Sequence, residues 1–200
     1  MSLATGLGVS LATSLPGGWA LKDGRLPPGT ALLGLGSNLG ERRERLRRAV
    51  DALQEAGLEV LASSCTYDTD PVGEVIEQPS FLNACLLVRT DLEALELLDT
   101  VKRLERELGR TRDEVRHGPR AIDIDLLLVG DRELEHPRLK LPHAQLPRRR
   151  FVLIPALELD FGLRLPDGTS LADALAGLSL EEGVRWAGPP LALAGAPAPR

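Results

Sequence analysis

The stretch from Gly118 to Gly130, GPRAIDIDLLLVG, places two carboxylates two residues apart inside an otherwise apolar run. Strand side chains alternate between faces, so Asp123 and Asp125 share one face while Ile122, Ile124, Leu126 and Leu128 point into a core on the other. A chain carrying this run has to build a sheet that buries one face of it and accommodates paired charge on the other. Left alone, carboxylates this close raise each other's pKa and cost stability, whereas a divalent cation between them makes a binding site. A salt-bridged, solvated strand face is the alternative reading. Arg120 stands just upstream, and Arg110, Arg112 and Arg116 precede it in a polar segment. Carboxylates for Mg²⁺ beside clustered guanidinium groups form the inventory needed to hold a polyphosphate.

Composition narrows what surrounds this strand. With 200 residues, 43% of them hydrophobic and 26% charged, one domain with a substantial core is expected. The formal charge of −5 argues against an electrostatically driven nucleic-acid binder. Cys65 and Cys85 have no CxxC spacing and lie in apolar runs, which suits small buried hydrophobes in a reducing compartment. No apolar run approaches the length of about 20 residues that spans a bilayer. Residues 1–20 contain no Lys or Arg and so lack the positive region of a secretory signal. A cytoplasmic protein without a membrane partner is the expectation.

Periodicity supplies the rest of the frame. Residues 1–29 are rich in Gly, Ser, Thr and Pro and predict a flexible N-terminal extension. A short apolar strand at 31–35 is followed by a break at Gly36, Ser37 and Asn38, where a helix N-cap and an anion-receiving turn are both open readings. A helix with Leu46, Val50 and Leu53 on one face comes next. Residues 58–67 and 81–90 read as strands around a loop from Thr69 to Ser80. Leu97, Val101, Leu104 and Leu108 then recur at helical spacing between Asp91, an expected N-cap, and Gly109, an expected stop. With the Asp123/Asp125 strand the order is βαββαβ, an α+β ferredoxin-like core whose antiparallel sheet has its helices on one face. Residues 151–165 predict an apolar C-terminal extension, and Ser170–Leu178 a short helix. The domain is expected to span 30–180, with 181–200 a C-terminal tail that is disordered from about Gly188.

Six segments in this order, GLGSNLGERRERL, YDTDPVG, QPSFLNA, LERELGRTR, HGPRAIDIDLLL and LPHAQLPRRRFVL, give the chain a close resemblance to the 6-hydroxymethyl-7,8-dihydropterin pyrophosphokinase family of folate biosynthesis. The resemblance covers about residues 31–178. It implies the ferredoxin-like fold and an ATP-dependent diphosphotransferase that moves pyrophosphate from ATP to the pterin hydroxymethyl group, releasing AMP. Under it, Asp123 and Asp125 match the ligands of Mg²⁺, with two ions expected. Arg110, Arg112, Arg120, His143 and Arg149 match positions that contact ATP or its phosphates, Arg110 and Arg120 with a catalytic part. Glu105 resembles a nucleotide-contacting glutamate, with an i, i+4 ion pair on its helix as the alternative. Phe81 and Phe151 match pterin-stacking positions, although without the resemblance core packing is the favoured reading of either ring. Asn83 matches a pterin-edge contact, and Thr69, Asp70, Pro71 and Val72 match the loop beside it. His117 stands where members of the family often carry a tryptophan that closes over the pterin, and Ala144 where bulkier residues are common.

Two other readings of the same residues stay open at this point. One is a non-catalytic ferredoxin-like module that binds a nucleotide or protein on its sheet. The other is a different Mg²⁺-ATP phosphotransferase acting on another small alcohol.

Overall fold

The structure is a computed structural model that describes residues 21–71, 77–110, 118–180 and 183–191. Its elements follow the expected order. Strand β1 (Thr30–Ser37) leads to helix α1 (Arg42–Glu55), strands β2 (Glu59–Ser63) and β3 (Thr66–Thr69), strand β4 (Phe81–Arg89), helix α2 (Ala94–Glu107) and strand β5 (Asp123–Val129). The stretch expected as a single strand over 58–67 is broken at Ser64 and Cys65. Both halves still run antiparallel to β4, and at the break the Cys85 backbone N–H donates to Ser64 Oγ at 2.9 Å. Helix α2 is capped at Glu93 by a reciprocal capping box with Glu96, not at Asp91. Gly109 adopts a φ of 100°, which suits the stop expected there.

The sheet runs β5-β1-β4-β3, with β2 also on β4, and all these pairings are antiparallel. This is the strand order of a ferredoxin-like core. Helices α1 and α2 cover one face, burying Leu46, Leu53, Leu97 and Val101 against Leu33, Leu35, Leu86, Ile122 and Ile124. Strand β4 is buried on both faces, which one helical layer cannot achieve. A second layer completes it: helices α3 (Arg150–Leu159) and α4 (Leu171–Ala176) pack Leu153, Ala156 and Leu171 on Leu32, Cys85, Leu87 and Leu127. The helices therefore lie on two faces, not one.

Leu128 also departs from simple alternation. The register of β1 on β5 slips between Leu32 and Leu33, so Leu126 faces α1 and α2 while Leu127 and Leu128 both pack toward α3.

The fold extends past both expected domain limits. Leu26 is buried in the α3/α4 core, although it lies within the expected N-terminal extension; residues 1–20 are outside the described residues. At the other end, strand β8 (Val184–Gly188) pairs with β3 as a new sheet edge, and Leu191 is buried. VRWAG between glycines and prolines carries too little periodicity to announce a strand, which exists through its partner. Between β5 and α3 a small hairpin of β6 (Leu134–His136) and β7 (Leu139–Leu141) leads into the cis Leu141–Pro142 bond.

Candidate active site

Three central strands set the site. On the face turned toward α3, β1 presents Leu32, Gly34 and Gly36, β4 presents Phe81, Asn83, Cys85 and Leu87, and β5 presents Asp123, Asp125 and Leu127. The apolar ends lie under α3, and the other ends are left open as a cleft. Gly36 belongs to β1, opposite Asn83 on one side and Asp123 on the other, so it is not the turn that its spacing suggested. A Cβ there would approach Asn83 Oδ1 to 2.7 Å, so glycine keeps the cleft floor open. Asn83 itself donates to Thr69 Oγ at 2.7 Å.

Ser37 and Asn38 fasten the cleft wall and do not cap α1, whose N-cap is Glu41. Ser37 Oγ donates to the Ala121 carbonyl at 2.6 Å. The Asn38 side chain accepts from the Arg120 backbone N–H at 2.7 Å and donates to Gln78 Oε1 and the Pro79 carbonyl, both at 3.1 Å. One buried amide thus joins the segment before β5 to the loop before β4.

The two aspartates differ sharply. Arg110 Nη1 reaches Asp123 Oδ1 and Arg120 Nη1 reaches Asp123 Oδ2, each at 2.7 Å. Burial pushes the Asp123 carboxyl up, but Arg120, Lys102 and Arg110 outweigh it and hold its pKa below the ordinary value. Asp125 has no hydrogen-bond partner among the described residues. Burial first, and then the charge of Asp123, raise its pKa, against weaker opposition from Lys102, His143 and Arg120. A carboxylate that is desolvated and unmatched is poised for a cation.

Asp125 also lines a second cleft on the far side of β5. Lys102 from α2, His136, Arg138 and Lys140 from the hairpin, and His143 line it together with Leu98 and Leu126. The strand carrying the carboxylates is therefore shared by two hollows, one floored by glycines and rimmed by Phe81 and Phe151, the other lined by Glu135 and by Lys102, Arg138 and Lys140, which pair with Glu105, Asp99 and Glu135 respectively.

Of the residues singled out from sequence, Thr69, Asp70, Phe81, Asn83, Arg120, Asp123, Asp125, Arg149 and Phe151 line the first cleft. The Arg149 guanidinium lies 5.5 Å from the Phe151 ring centroid. His143 lines the second cleft. Arg110 sits behind Asp123, and Pro71 lines neither cleft. Glu105 lines neither: it is 1% exposed and bonded to Lys102 three residues before it, to Arg110 beyond the end of α2 and to the Ile124 backbone, so its pairing differs from the i, i+4 partner that its helix position suggested. Val72, Arg112 and His117 lie outside the described residues. Lys102, Arg138, Lys140 and Gln78 were missed. The first is an ordinary helix lysine by sequence, and the next two belong to a hairpin with three-residue strands.

Comparison with known proteins bears on the same region. A family model described as 7,8-dihydro-6-hydroxymethylpterin-pyrophosphokinase matches residues 32–161. The chain is 44% identical over 148 residues to the 2-amino-4-hydroxy-6-hydroxymethyldihydropteridine pyrophosphokinase of Pseudomonas aeruginosa, covering 74% of this chain and 90% of that protein. It is 45% identical over 130 residues to the protein of the same name from Bacillus subtilis, covering 64% and 77%. A solved structure of HPPK-DHPS in complex with substrates superposes with a TM-score of 0.60 at 14% identity, over 75% of this chain and 43% of that one. At that identity the likeness speaks to fold alone, and the chain spans less than half of that larger protein.

Proposed function

Because the chain belongs to the 7,8-dihydro-6-hydroxymethylpterin-pyrophosphokinase family, and is thus an ATP-dependent diphosphotransferase of folate biosynthesis, we propose that its two substrates meet across Asp125 in a Mg²⁺-dependent transfer. The observation that carries this reading is that Asp125 lines both clefts. The first cleft suits 6-hydroxymethyl-7,8-dihydropterin: Phe81 and Phe151 offer stacking surfaces, and Asn83, held by Thr69, offers a fixed amide to the heterocycle edge. The second suits ATP, with Lys102, Arg138, Lys140 and His143 as cationic and hydrogen-bonding contacts. On this reading the catalytic domain takes in residues 21–191, and the protein works in the cytoplasm where ATP is supplied.

The donor set fits Mg²⁺. Mg²⁺ is commonly held by one or two carboxylates plus substrate phosphates and water, and no third His, Cys, Asp or Glu joins the pair among the described residues. Asp123 and Asp125 would hold the metal, with two ions expected. When bound, the metal neutralises phosphate charge and orients the reacting oxygens.

The chain's own residues do the rest by position. Asp125 fixes where the two clefts converge, and the hydroxymethyl oxygen attacks the β-phosphorus there as the bond to the AMP oxygen breaks. Arg120, anchored through its backbone by Asn38, lines the first cleft and offers positive charge to the transferred group, while Arg110 acts from behind through its pair with Asp123. Arg149, stacked on Phe151, links the pterin wall to that charge.

Incubation with ATP, Mg²⁺ and the pterin tests the reading. Equimolar AMP and pterin diphosphate, dependent on both metal and pterin, are expected. Release of ADP, or turnover indifferent to metal, contradicts it.

A further inference from the structure

Strand β5 is a sheet edge: it pairs with β1, and among the described residues no strand pairs with its other side. Edge strands expose backbone donors and acceptors that nothing in the sheet satisfies. At Ile124, the residue between the two aspartates, both groups are nonetheless occupied, and by side chains of one helix. The Ile124 N–H donates to Glu105 Oε1 at 2.7 Å, and the Ile124 carbonyl accepts from Lys102 Nζ at 3.3 Å. Glu105 and Lys102 lie one turn apart on α2 and pair with each other at 2.8 Å. A carboxylate and an ammonium group thus take the places that a neighbouring strand would offer.

The same Glu105 oxygen lies 2.8 Å from Arg110 Nη1, and that nitrogen lies 2.7 Å from Asp123 Oδ1. One buried carboxylate therefore holds the peptide between the aspartates and, through Arg110, the first of them. Burying a charge is costly, and a carboxylate that is 1% exposed persists only where its partners compensate it. Sheet stability alone needs no such group at an edge, where a neutral side chain or water would serve. What this arrangement adds is a fixed direction for two carboxylates on one short stretch of strand, and outer partners of this kind set metal affinity.

We infer that Glu105 is a positioning residue, which with Lys102 clamps the free edge of β5 at Ile124 and thereby sets the Asp123/Asp125 pair for metal without touching nucleotide or pterin. The inference rests on the proposed metal role of that pair.

Mn²⁺ titration followed by electron paramagnetic resonance, in the presence of a non-hydrolysable ATP analogue, tests it with the full chain as wild type, Glu105→Gln and Asp125→Asn. The glutamine keeps the size of the side chain and an acceptor for Ile124 but not the charge that holds Lys102 and Arg110. Glu105→Gln is expected to weaken Mn²⁺ binding by about 10-fold to 100-fold, while affinity for the analogue without metal is not lowered, because Glu105 lines neither cleft and the uncharged glutamine leaves the Lys102 ammonium to the phosphates. Unchanged Mn²⁺ affinity overturns the clamp if Asp125→Asn has lost binding. A loss of metal-free analogue affinity also overturns it, making Glu105 a nucleotide contact. Full Mn²⁺ affinity in Asp125→Asn instead removes the metal reading on which the clamp depends. Hydrogen exchange on the wild type provides an arm that needs no variant to fold. The Ile124 amide is expected to be protected as well as the β5 amides bonded to β1, and exchange at the rate of an unbonded edge amide overturns the inference.

Discussion

The two faces of the central sheet are built from alternate residues of the same three strands, yet one is closed and the other works. Toward α1 and α2, strands β1, β4 and β5 present Leu33, Leu35, Leu86, Ile124 and Leu126, and every one is buried. Toward α3 the same strands present Leu32, Cys85, Leu87 and Leu127 along part of their length, then Gly36, Asn83, Asp123 and Asp125. The closed face supplies the burial that holds the strands rigid, and the open part places charge and empty space on that rigid surface. Polar groups are tolerated there because each is answered or exposed: Asn83 by Thr69, Asp123 by two arginines, Asp125 by the clefts it lines.

Substitutions should separate the faces. Asp125→Asn leaves the closed face untouched and removes a metal-ligating charge. Turnover should fall by about three orders of magnitude, since metal stabilisation of the transition state is worth several kcal/mol. Near-normal turnover at saturating Mg²⁺ would remove Asp125 from the site. Leu97→Ala, on the closed face, should cost about 2–5 kcal/mol of stability in denaturant unfolding. Turnover by the fraction still folded should be near normal, and a specific loss of turnover would show that the faces are not independent. Gly36→Ala should preserve the closed core but crowd Asn83, weakening pterin binding by about 1–3 kcal/mol, the usual cost of overpacking. Pterin titration checks it, and unchanged affinity would move the pterin away from the cleft floor.

The smallest effect is a pH dependence of opposite sign at the two aspartates. Asp125 has a raised folded pKa, so its ionised form opposes folding. That penalty is absent below the unfolded pKa of about 3.9 and complete above the folded value. Asp125→Asn should therefore raise the Tm of the metal-free protein, increasingly as pH rises through that window. Asp123 has a lowered folded pKa, so its stabilisation is present above about pH 3.9 and lost as pH falls through the folded value. Asp123→Asn should lower the Tm at neutral pH. Thermal melts of both variants across pH 3–8 check the contrast, and shifts of the same sign would refute the different pairing of the two carboxylates.

The closed face was readable from sequence because its signal is local. Leu46, Val50 and Leu53, or Leu97, Val101 and Leu104, repeat at the helical period, and strand alternation supplies the surface they meet. Asp123 and Asp125 were readable for the opposite reason, as charges interrupting an apolar strand. What escaped depends on contacts distant in sequence. Strand β8 exists because β3 offers it an edge, and Leu128 changes face because β5 slips against β1. Glu105 gives no sign in its helix pattern that an edge amide of β5 awaits it. Lys102, Arg138 and Lys140 look like solvated charges until α2 and the β6–β7 hairpin bring them around one hollow.

The most direct test of the meeting point at Asp125 is paramagnetic relaxation of the pterin hydroxymethyl protons by Mn²⁺ in the presence of a non-hydrolysable ATP analogue. Strong relaxation in the wild type that disappears in Asp125→Asn is the predicted result. Relaxation that persists in Asp125→Asn, or is absent from a wild-type complex that has bound all three ligands, would contradict it.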